Sequence, residues 1–181
     1  SMEFSKKGYL KSVNRYLQNW SQIDKTLYSL CQKNYSHDSM NNIKAKLWII
    51  GRTYATGIER KIQSNGYQGS SMSKLSDHLY KNRRVVNNIF QKLKPISNGS
   101  KLTPSKLKKI TSLHGELVHL IKKITRKNYS SRSFVSKYMH FHCPIVPIYD
   151  SYASQALKKF IRWNDSLIIF DKPKMADEDY L

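Results

Sequence analysis

Apolar residues recur every three or four positions along most of this chain, which is the spacing of one face of an α-helix. The periodic stretches predict seven helices, at residues 9–20, 23–31, 43–62, 75–93, 107–126, 134–141 and 153–161. Only LIIF at 167–170 has the composition of an extended segment. The periodicity therefore predicts an all-α fold.

Three local signals divide the helical pattern. Asn65-Gly66 predicts the end of the third helix, because these residue types adopt the left-handed conformation of a C-cap. Residues 95–101 form the clearest break, and Thr103-Pro104 then predicts a helix that starts with an N-cap followed by proline. We expect one compact domain over 2–181, with an N-terminal helical lobe at about 5–94, a second lobe at about 102–171 and an acidic tail at 172–181.

The charge of the chain predicts a polyanionic partner. Its 32 Lys and Arg residues against 12 Asp and Glu give a formal net charge of +20. No stretch reaches the ~20 apolar residues of a membrane-spanning helix, and we recognise no signal peptide. We therefore expect an intracellular protein with no membrane partner. Cys31 and Cys143 lack paired spacing, which predicts buried free thiols and neither a disulfide nor a metal site.

Residues 132–160 carry the most informative motif. They read as a helix, a rigid Pro144-x-x-Pro147 loop and a second helix that opens on Asp150, an isolated carboxylate in a basic chain. This segment resembles the C-terminal half of the helix-hairpin-helix DNA glycosylases, in which a helical hairpin is followed by a proline-containing loop and an aspartate that caps the next helix. In this comparison the hairpin turn falls at 129–132 and its second helix at 134–141.

The resemblance implies a fold and a reaction. It implies two helical lobes with the substrate base bound between them, and it makes Asp150 the catalytic residue. Breaking an N-glycosidic bond builds positive charge on the sugar, so an ionised carboxylate stabilises the transition state and orients the attacking water. A helix N-terminus favours the ionised form. The alternative is that Asp150 is only an N-cap, since aspartate is among the preferred caps.

The hairpin turn departs from the family pattern. The family's turn carries two glycines that approach a DNA phosphate, whereas KNYSSRS at 127–133 contains none. Hydroxyl, backbone and charged groups could still bind a phosphate, and the expected DNA-binding residues are Lys127, Ser130, Ser131, Arg132, Ser133 and Lys137.

The same departure bears on lyase chemistry. Bifunctional relatives place a nucleophilic lysine where this chain has 131–133, so the resemblance implies a monofunctional enzyme that leaves an abasic site. Lys137 remains an alternative nucleophile. The iron–sulfur cysteines of some relatives are absent, and we expect no cofactor.

A second candidate site lies in the predicted third helix. Trp48, Arg52 and Glu59 fall on a stripe distinct from the apolar face, and such groups could stack on and hydrogen-bond a flipped base. With these three, the expected substrate-binding residues are Tyr54, His140 and Tyr149. The alternative is a surface Arg–Glu pair beside a half-buried tryptophan. Gly51 and Gly57 predict close approach of another helix or a ligand.

These features together predict a monomeric DNA glycosylase that acts on double-stranded DNA. The resemblance extends more loosely to bacterial defence glycosylases that excise glucosylated hydroxymethylcytosine from phage genomes, which implies that substrate and a prokaryotic cytoplasmic location. Two alternatives stay open: a non-enzymatic helical nucleic-acid-binding module, and a metal-dependent nuclease or toxin. His140 and His142 would point to opposite sides of a helix and lack a third ligand, so we expect no metal.

Overall fold

The computed structural model describes residues 6–54, 56–63, 66–97, 101–150 and 154–155. Within them the chain forms eight α-helices: α1 Lys6–Asn19, α2 Ser21–Lys33, α3 Met40–Thr53, α4 Ile58–Lys61, α5 Ser71–Lys81, α6 Arg83–Leu93, α7 Pro104–Lys122 and α8 Arg132–His142. Short 3-10 turns follow α6 at Lys94–Ser97 and α7 at Arg126–Asn128. The described residues contain no strand, only an isolated bridge between Ile62 and Thr125. The predicted all-α class is confirmed for this part of the chain.

Polar side chains set the starts of three helices. The hydroxyl groups of Ser39, Ser70 and Thr103 accept hydrogen bonds from backbone N–H groups in the first turns of α3, α5 and α7. Each bond pairs a donor that the helix itself leaves without a partner. The predicted Thr103-Pro104 start is confirmed.

The prediction of one long third helix over 43–62 is wrong. The helix ends at Thr53, and residues 58–61 form a separate short helix. Gly57 has φ of +65°, a left-handed conformation that a continuous helix cannot contain. The hydroxyl of Tyr54 also donates to the Asp24 carboxylate on α2, so a tertiary contact holds the chain where the helix stops. Gly66 has positive φ as expected, but no helix ends there.

The fourth predicted helix is also divided. Residues 75–93 form α5 and α6, which meet at Asn82. The side-chain amide of Asn82 donates to the carbonyl of His78, and such local bonds compete with helical pairing. The fifth helix ends at Lys122, four residues earlier than expected, where Thr125 donates to the Lys122 carbonyl.

Some expectations fall outside the described residues. The seventh helix, at 153–161, is described only at Ser154 and Gln155, which are helical. The extended segment 167–170, the end of the second lobe and the acidic tail lie wholly outside the described residues.

Helix α8 lies at the centre of the hydrophobic core. Eight of its eleven residues are buried, and it packs against α2, α3 and α7. The core draws apolar side chains from both expected lobes, from Leu27 on α2 to Val146 after α8. Cys31 and Cys143 are buried free thiols, as predicted. In contrast, Leu10 and Leu17 on the apolar side of α1 stay largely exposed.

A buried lysine lies beside α8. Lys46 on α3 is fully buried, and its ammonium donates to the carbonyls of Asn34 and Ser36 and to Nε2 of His142, the last at 3.1 Å. His142 can accept that bond because its Nδ1–H donates to the Tyr138 carbonyl at 2.7 Å. Three acceptors thus meet the three ammonium hydrogens. Burial lowers the pKa of Lys46 to about 8, although the nearby Cys31 opposes that shift.

We expect Lys46 to make folding more favourable as pH rises from about 8 to about 10.4, the unfolded value. The folded state binds fewer protons than the unfolded state in this window, so the free energy of unfolding increases with pH. Across this pH window, the free energy of unfolding of the parent should increase by about 3 kcal/mol relative to that of Lys46→Met. Urea unfolding at several pH values measures the difference. Lys25→Met, at an exposed site on α2, is the control, and parallel pH curves for the parent and Lys46→Met would contradict the prediction.

Candidate active site

The segment that follows α8 folds back along the helix. After α8 ends at His142, Nδ1–H of His140 donates to the Val146 carbonyl at 2.7 Å. One turn earlier on the same face, Oγ of Ser136 accepts from the Tyr149 N–H at 3.0 Å and lies 3.2 Å from the Tyr149 carbonyl. Residue 146 thus lies beside 140 and residue 149 beside 136. The segment runs antiparallel to α8 and brings Asp150 back towards the start of the helix.

Asp150 lies close to a buried lysine. Lys137 is only 9% exposed, and its ammonium donates to Oγ of Ser133 at 3.0 Å. Burial lowers the pKa of Lys137, while the negative charge of Asp150 acts in the opposite direction, which places the two groups within electrostatic range. The lysine expected at the DNA surface is therefore buried, and it lies within electrostatic range of the candidate catalytic carboxylate.

Asp150 also accepts a backbone hydrogen bond from a helical residue. Its carbonyl accepts from the Ser154 N–H at 2.9 Å, as the carbonyl of an N-cap residue does. The residue is partly exposed, so it is not sealed into the core. A capping position and an accessible side chain are compatible, because the backbone makes this contact.

Two expected substrate-binding residues belong to one aromatic cluster. Nε2 of His140 accepts from the hydroxyl of Tyr28 at 2.6 Å, and the rings of Tyr28 and Tyr54 lie 4.9 and 5.0 Å from that of Phe141. The cluster joins α2, α3 and α8. Both nitrogens of His140 are thereby engaged, which makes it a residue that holds the loop in place.

Asp24 is a second carboxylate near this cluster, and the sequence did not single it out. It accepts hydrogen bonds from the hydroxyls of Tyr54 and Tyr16, the latter at 2.7 Å. The Asp24 bond raises the pKa of Tyr16 to about 12. In the sequence, the available signal is an acid in the first turn of a helix, one turn before Tyr28, which is also the usual place for a charge that stabilises the helix N-terminus.

The Trp48 stripe forms a separate group. The Arg52 guanidinium stacks over the Trp48 ring at 4.1 Å and lies 3.4 Å from the Glu59 carboxylate. Arg52 and Glu59 are both exposed at their side chains, 60% and 38%. Trp48 and Tyr54 are six positions apart, which turns them about 120° from each other around a helix. The structure brings Trp48, Arg52 and Glu59 together, whereas Tyr54, at the end of α3, donates to Asp24 on α2.

Gly51 explains part of the small-residue pattern. A Cβ atom at Gly51 would lie 2.8 Å from the terminal methyl of Met72, so glycine lets α5 pack closely on α3. The close approach expected at this position is therefore made by another helix.

The connection between α7 and α8 has an unusual backbone. Lys127 and Asn128 are consecutive non-glycine residues with φ of 51° and 52°. Ser131 precedes α8 and is 3% exposed, and its hydroxyl has no hydrogen-bond partner within the described residues. The carbonyl of Arg132 accepts from Nε2–H of His114 at 3.1 Å, and this bond ties the start of α8 to α7. Of the expected phosphate-binding residues, Lys127 is exposed and Ser130, Arg132 and Ser133 are partly exposed.

Other site types find little support in the described residues. One open groove of about 490 Å3 lies along α2 and another of about 270 Å3 lies between α2 and α3, and none of the expected site residues lines them. Across the described ranges, His, Cys, Asp and Glu side chains form no group of three that could hold a metal. In the same ranges, no helix combines the length and apolarity needed to cross a membrane.

Comparison of the chain with protein-family models, with curated proteins and with solved structures finds no match. A functional assignment therefore depends on the geometry of residues 123–150 and on the charge of the chain.

We expect Ser136→Ala to loosen the segment that carries Asp150. Ser136 is 1% exposed, and its loss leaves the Tyr149 N–H without its partner, at a cost of about 1–3 kcal/mol. Hydrogen exchange of the Tyr149 amide should accelerate more than exchange in the helices. Ser112→Ala, on an exposed position of α7, is the matched control. Unchanged exchange at Tyr149 would show that Ser136 does not hold the segment.

Proposed function

We propose that this protein is a DNA glycosylase in which Asp150 is the catalytic carboxylate. The observation that carries the proposal is the anchoring of 146–150 along α8, which holds a partly exposed carboxylate beside a buried lysine. The net charge of +20 supports a DNA partner. The enzyme would act as a monomer on double-stranded DNA in the prokaryotic cytoplasm.

The reaction needs few groups from the protein. The bond between the sugar C1′ and the base nitrogen breaks, and the base leaves with the bonding electrons and takes up a proton. Asp150 stabilises the positive charge on the sugar and accepts a proton from the water that attacks C1′. The product is an abasic site. Because the backbone that leads to Asp150 is anchored before the substrate arrives, we propose that the carboxylate needs little reorganisation in the transition state.

Lys137 supports this arrangement without attacking the sugar. Its ammonium is buried and donates to Ser133, so a covalent role would require it to leave this position and break that hydrogen bond. We propose that it fixes the surroundings of Asp150 and that the enzyme is monofunctional.

The turn before α8, residues 123–131, is the proposed phosphate-binding element. Lys127 and Ser130 lie in the turn, and the N-terminus of α8 presents backbone N–H groups and a positive dipole end. The unpaired hydroxyl of Ser131 adds a polar group at the same place. A DNA phosphate seated there would put the neighbouring nucleotide near the segment that ends in Asp150.

The proposed substrate is a modified cytosine, with glucosylated hydroxymethylcytosine of phage DNA as the specific candidate. Its support is the resemblance of 132–160 to the glycosylases together with polar groups for sugar hydroxyls. Tyr149 lies on the Asp150 side of α8, where His140 holds the loop in place, and Arg52 on α3 and Glu59 on α4 supply exposed charged groups. An anti-phage role follows from that substrate.

A non-enzymatic binding module is the second candidate function. The hydrogen bond from Ser154 to the Asp150 carbonyl favours it, because a capping role alone would explain an aspartate at this position.

We expect Asp150→Asn to abolish base release while folding and DNA binding persist. Asparagine is a good N-cap, so stability should change by no more than about 1 kcal/mol. Asparagine lacks the negative charge opposite the sugar cation, and such a loss costs about two to three orders of magnitude in rate. The assay identifies released bases by mass from DNA with glucosylated hydroxymethylcytosine and from unmodified DNA.

The control for this variant is Asp38→Asn, which makes the same charge change at an exposed site. If Asp150→Asn kept release within severalfold of the parent, the catalytic assignment would fail. If the parent itself released no base yet bound DNA, the binding-module candidate would replace the enzyme.

We expect treated DNA to stay intact at neutral pH and to break only on heating with alkali. A monofunctional enzyme leaves an abasic site and no covalent intermediate, because no lysine attacks the sugar. Gel electrophoresis before and after alkali measures this. A covalent protein–DNA adduct trapped by borohydride would show that a lysine, with Lys137 the first candidate, is a nucleophile. Direct strand cleavage without abasic sites would instead support a nuclease.

A further inference from the structure

A cluster of positive groups lies where α5 meets the end of α7. Nε2–H of His78 on α5 donates to the carbonyl of Leu120 in the last turn of α7, at 2.9 Å. Lys74 and Lys81 lie four residues before and three after His78, which puts them on the same face of α5. Lys123 follows Leu120 by three residues. We call Lys74, His78, Lys81 and Lys123 the α5–α7 surface.

The three lysines of this surface act on the His78 ring. The pKa of His78 is lowered, first by burial and then by Lys123, Lys81 and Lys74, although the bond to Leu120 opposes the shift. Within the described residues, none of the three lysines forms a salt bridge. Asp77, the one acidic residue of α5, accepts a hydrogen bond from the hydroxyl of Tyr67. Asp77 lies three residues after Lys74 and four before Lys81, so the surface sets three lysines against one carboxylate and keeps a positive charge that an anionic partner would neutralise.

The α5–α7 surface is continuous with the turn before α8. The Gln63 N–H donates to the Ile124 carbonyl at 2.8 Å, and the Lys74 ammonium donates to the Gln63 carbonyl. The Lys61 ammonium lies 4.6 Å from the centre of the Tyr129 ring. These contacts join α4 and α5 to the connection that carries the exposed Lys127.

We propose that the α5–α7 surface binds the phosphate backbone of duplex DNA beyond the nucleotide at the reaction site. Lys81 on α5 and Lys123 directly after α7 are both exposed, and the His78 hydrogen bond ties these two helices together, so the spacing of the two lysines is fixed before binding. Lys81, Lys123 and Lys127 would together form a phosphate-binding surface that runs from the turn before α8 to α5. This inference rests on the proposed DNA partner, and it identifies the face that the flanking duplex covers.

The test compares two double variants of equal charge. Lys81→Gln with Lys123→Gln removes two exposed charges from the α5–α7 surface and leaves Lys74, which also bonds Gln63. Lys25→Gln with Lys33→Gln removes two exposed charges from α2. Each phosphate contact contributes about −0.9 to the slope of log affinity against log salt. The fall in affinity of the first variant between about 50 and 200 mM salt should therefore be about tenfold smaller than that of the parent.

The α2 variant should keep the parent slope. Equal slopes for the two double variants would overturn the proposal, because they would show that only net charge matters. A weakened slope with single-stranded RNA but not with duplex DNA would overturn it in favour of an RNA partner. Binding is measured with Asp150→Asn as the background, so base release does not enter. The binding result therefore tests the α5–α7 surface even if the catalytic assignment of Asp150 fails. The base-release assay likewise tests Asp150 even if this surface does not bind DNA.

A second measurement locates the DNA. Phosphates that neutralise Lys74, Lys81 and Lys123 remove the repulsion at His78, so its pKa should be higher in the complex than in the free protein. An NMR titration of the His78 ring with and without an oligonucleotide duplex gives both values. An unchanged pKa of His78 would place the DNA elsewhere and overturn the proposal.

Discussion

The anchoring of residues 146–150 along α8 determines where the candidate site lies. Because α8 is buried on most sides, its polar side chains need partners inside the protein. Ser136 and His140 find them in the backbone of the segment that follows the helix. The hydrogen bonds that satisfy these buried groups therefore also position Asp150. A helix with alanine at those two positions would leave the segment that ends in Asp150 without these attachments, and at position 140 it would also lose the contact with Tyr28 on α2.

Lysine side chains occupy both the core and the surface of this protein, and burial decides which groups stabilise each ammonium. Lys46 lies in the core, where backbone carbonyls and a neutral histidine surround its ammonium. Lys137 is also buried, but a carboxylate lies within electrostatic range. Lys81 and Lys123 are exposed and have no salt bridge among the described residues. The first two charges are accounted for by the fold. The exposed charges are the ones that a polyanion can neutralise. The surface lysines therefore support the proposed DNA partner beyond what net charge alone does.

Local patterns predicted the helices, whereas tertiary contacts decided where several of them end. Apolar spacing located α7 and α8, and Thr103-Pro104 predicted the start of α7. The stop after Thr53 depends on Tyr54 reaching Asp24, a contact across 30 positions that periodicity does not contain. The same limit applies to the site. Asp150 stood out in sequence because it follows a recognisable loop, but the partners of His140 could not be found, since Tyr28 is 112 positions away.

The turn before α8 lacks glycine, yet its backbone adopts the conformation for which glycine is usually needed. Lys127 and Asn128 both have φ near +50°, and asparagine accepts this region more readily than most residues. A lysine there is strained by about 1–2 kcal/mol, so the surrounding contacts must hold it. The Tyr129 N–H bond to the Arg126 carbonyl and the bridge from Thr125 to Ile62 are such contacts. Backbone conformation, not the glycine side chain, is what lets N–H groups approach a phosphate. The absence of glycine is therefore compatible with the proposed phosphate at this turn.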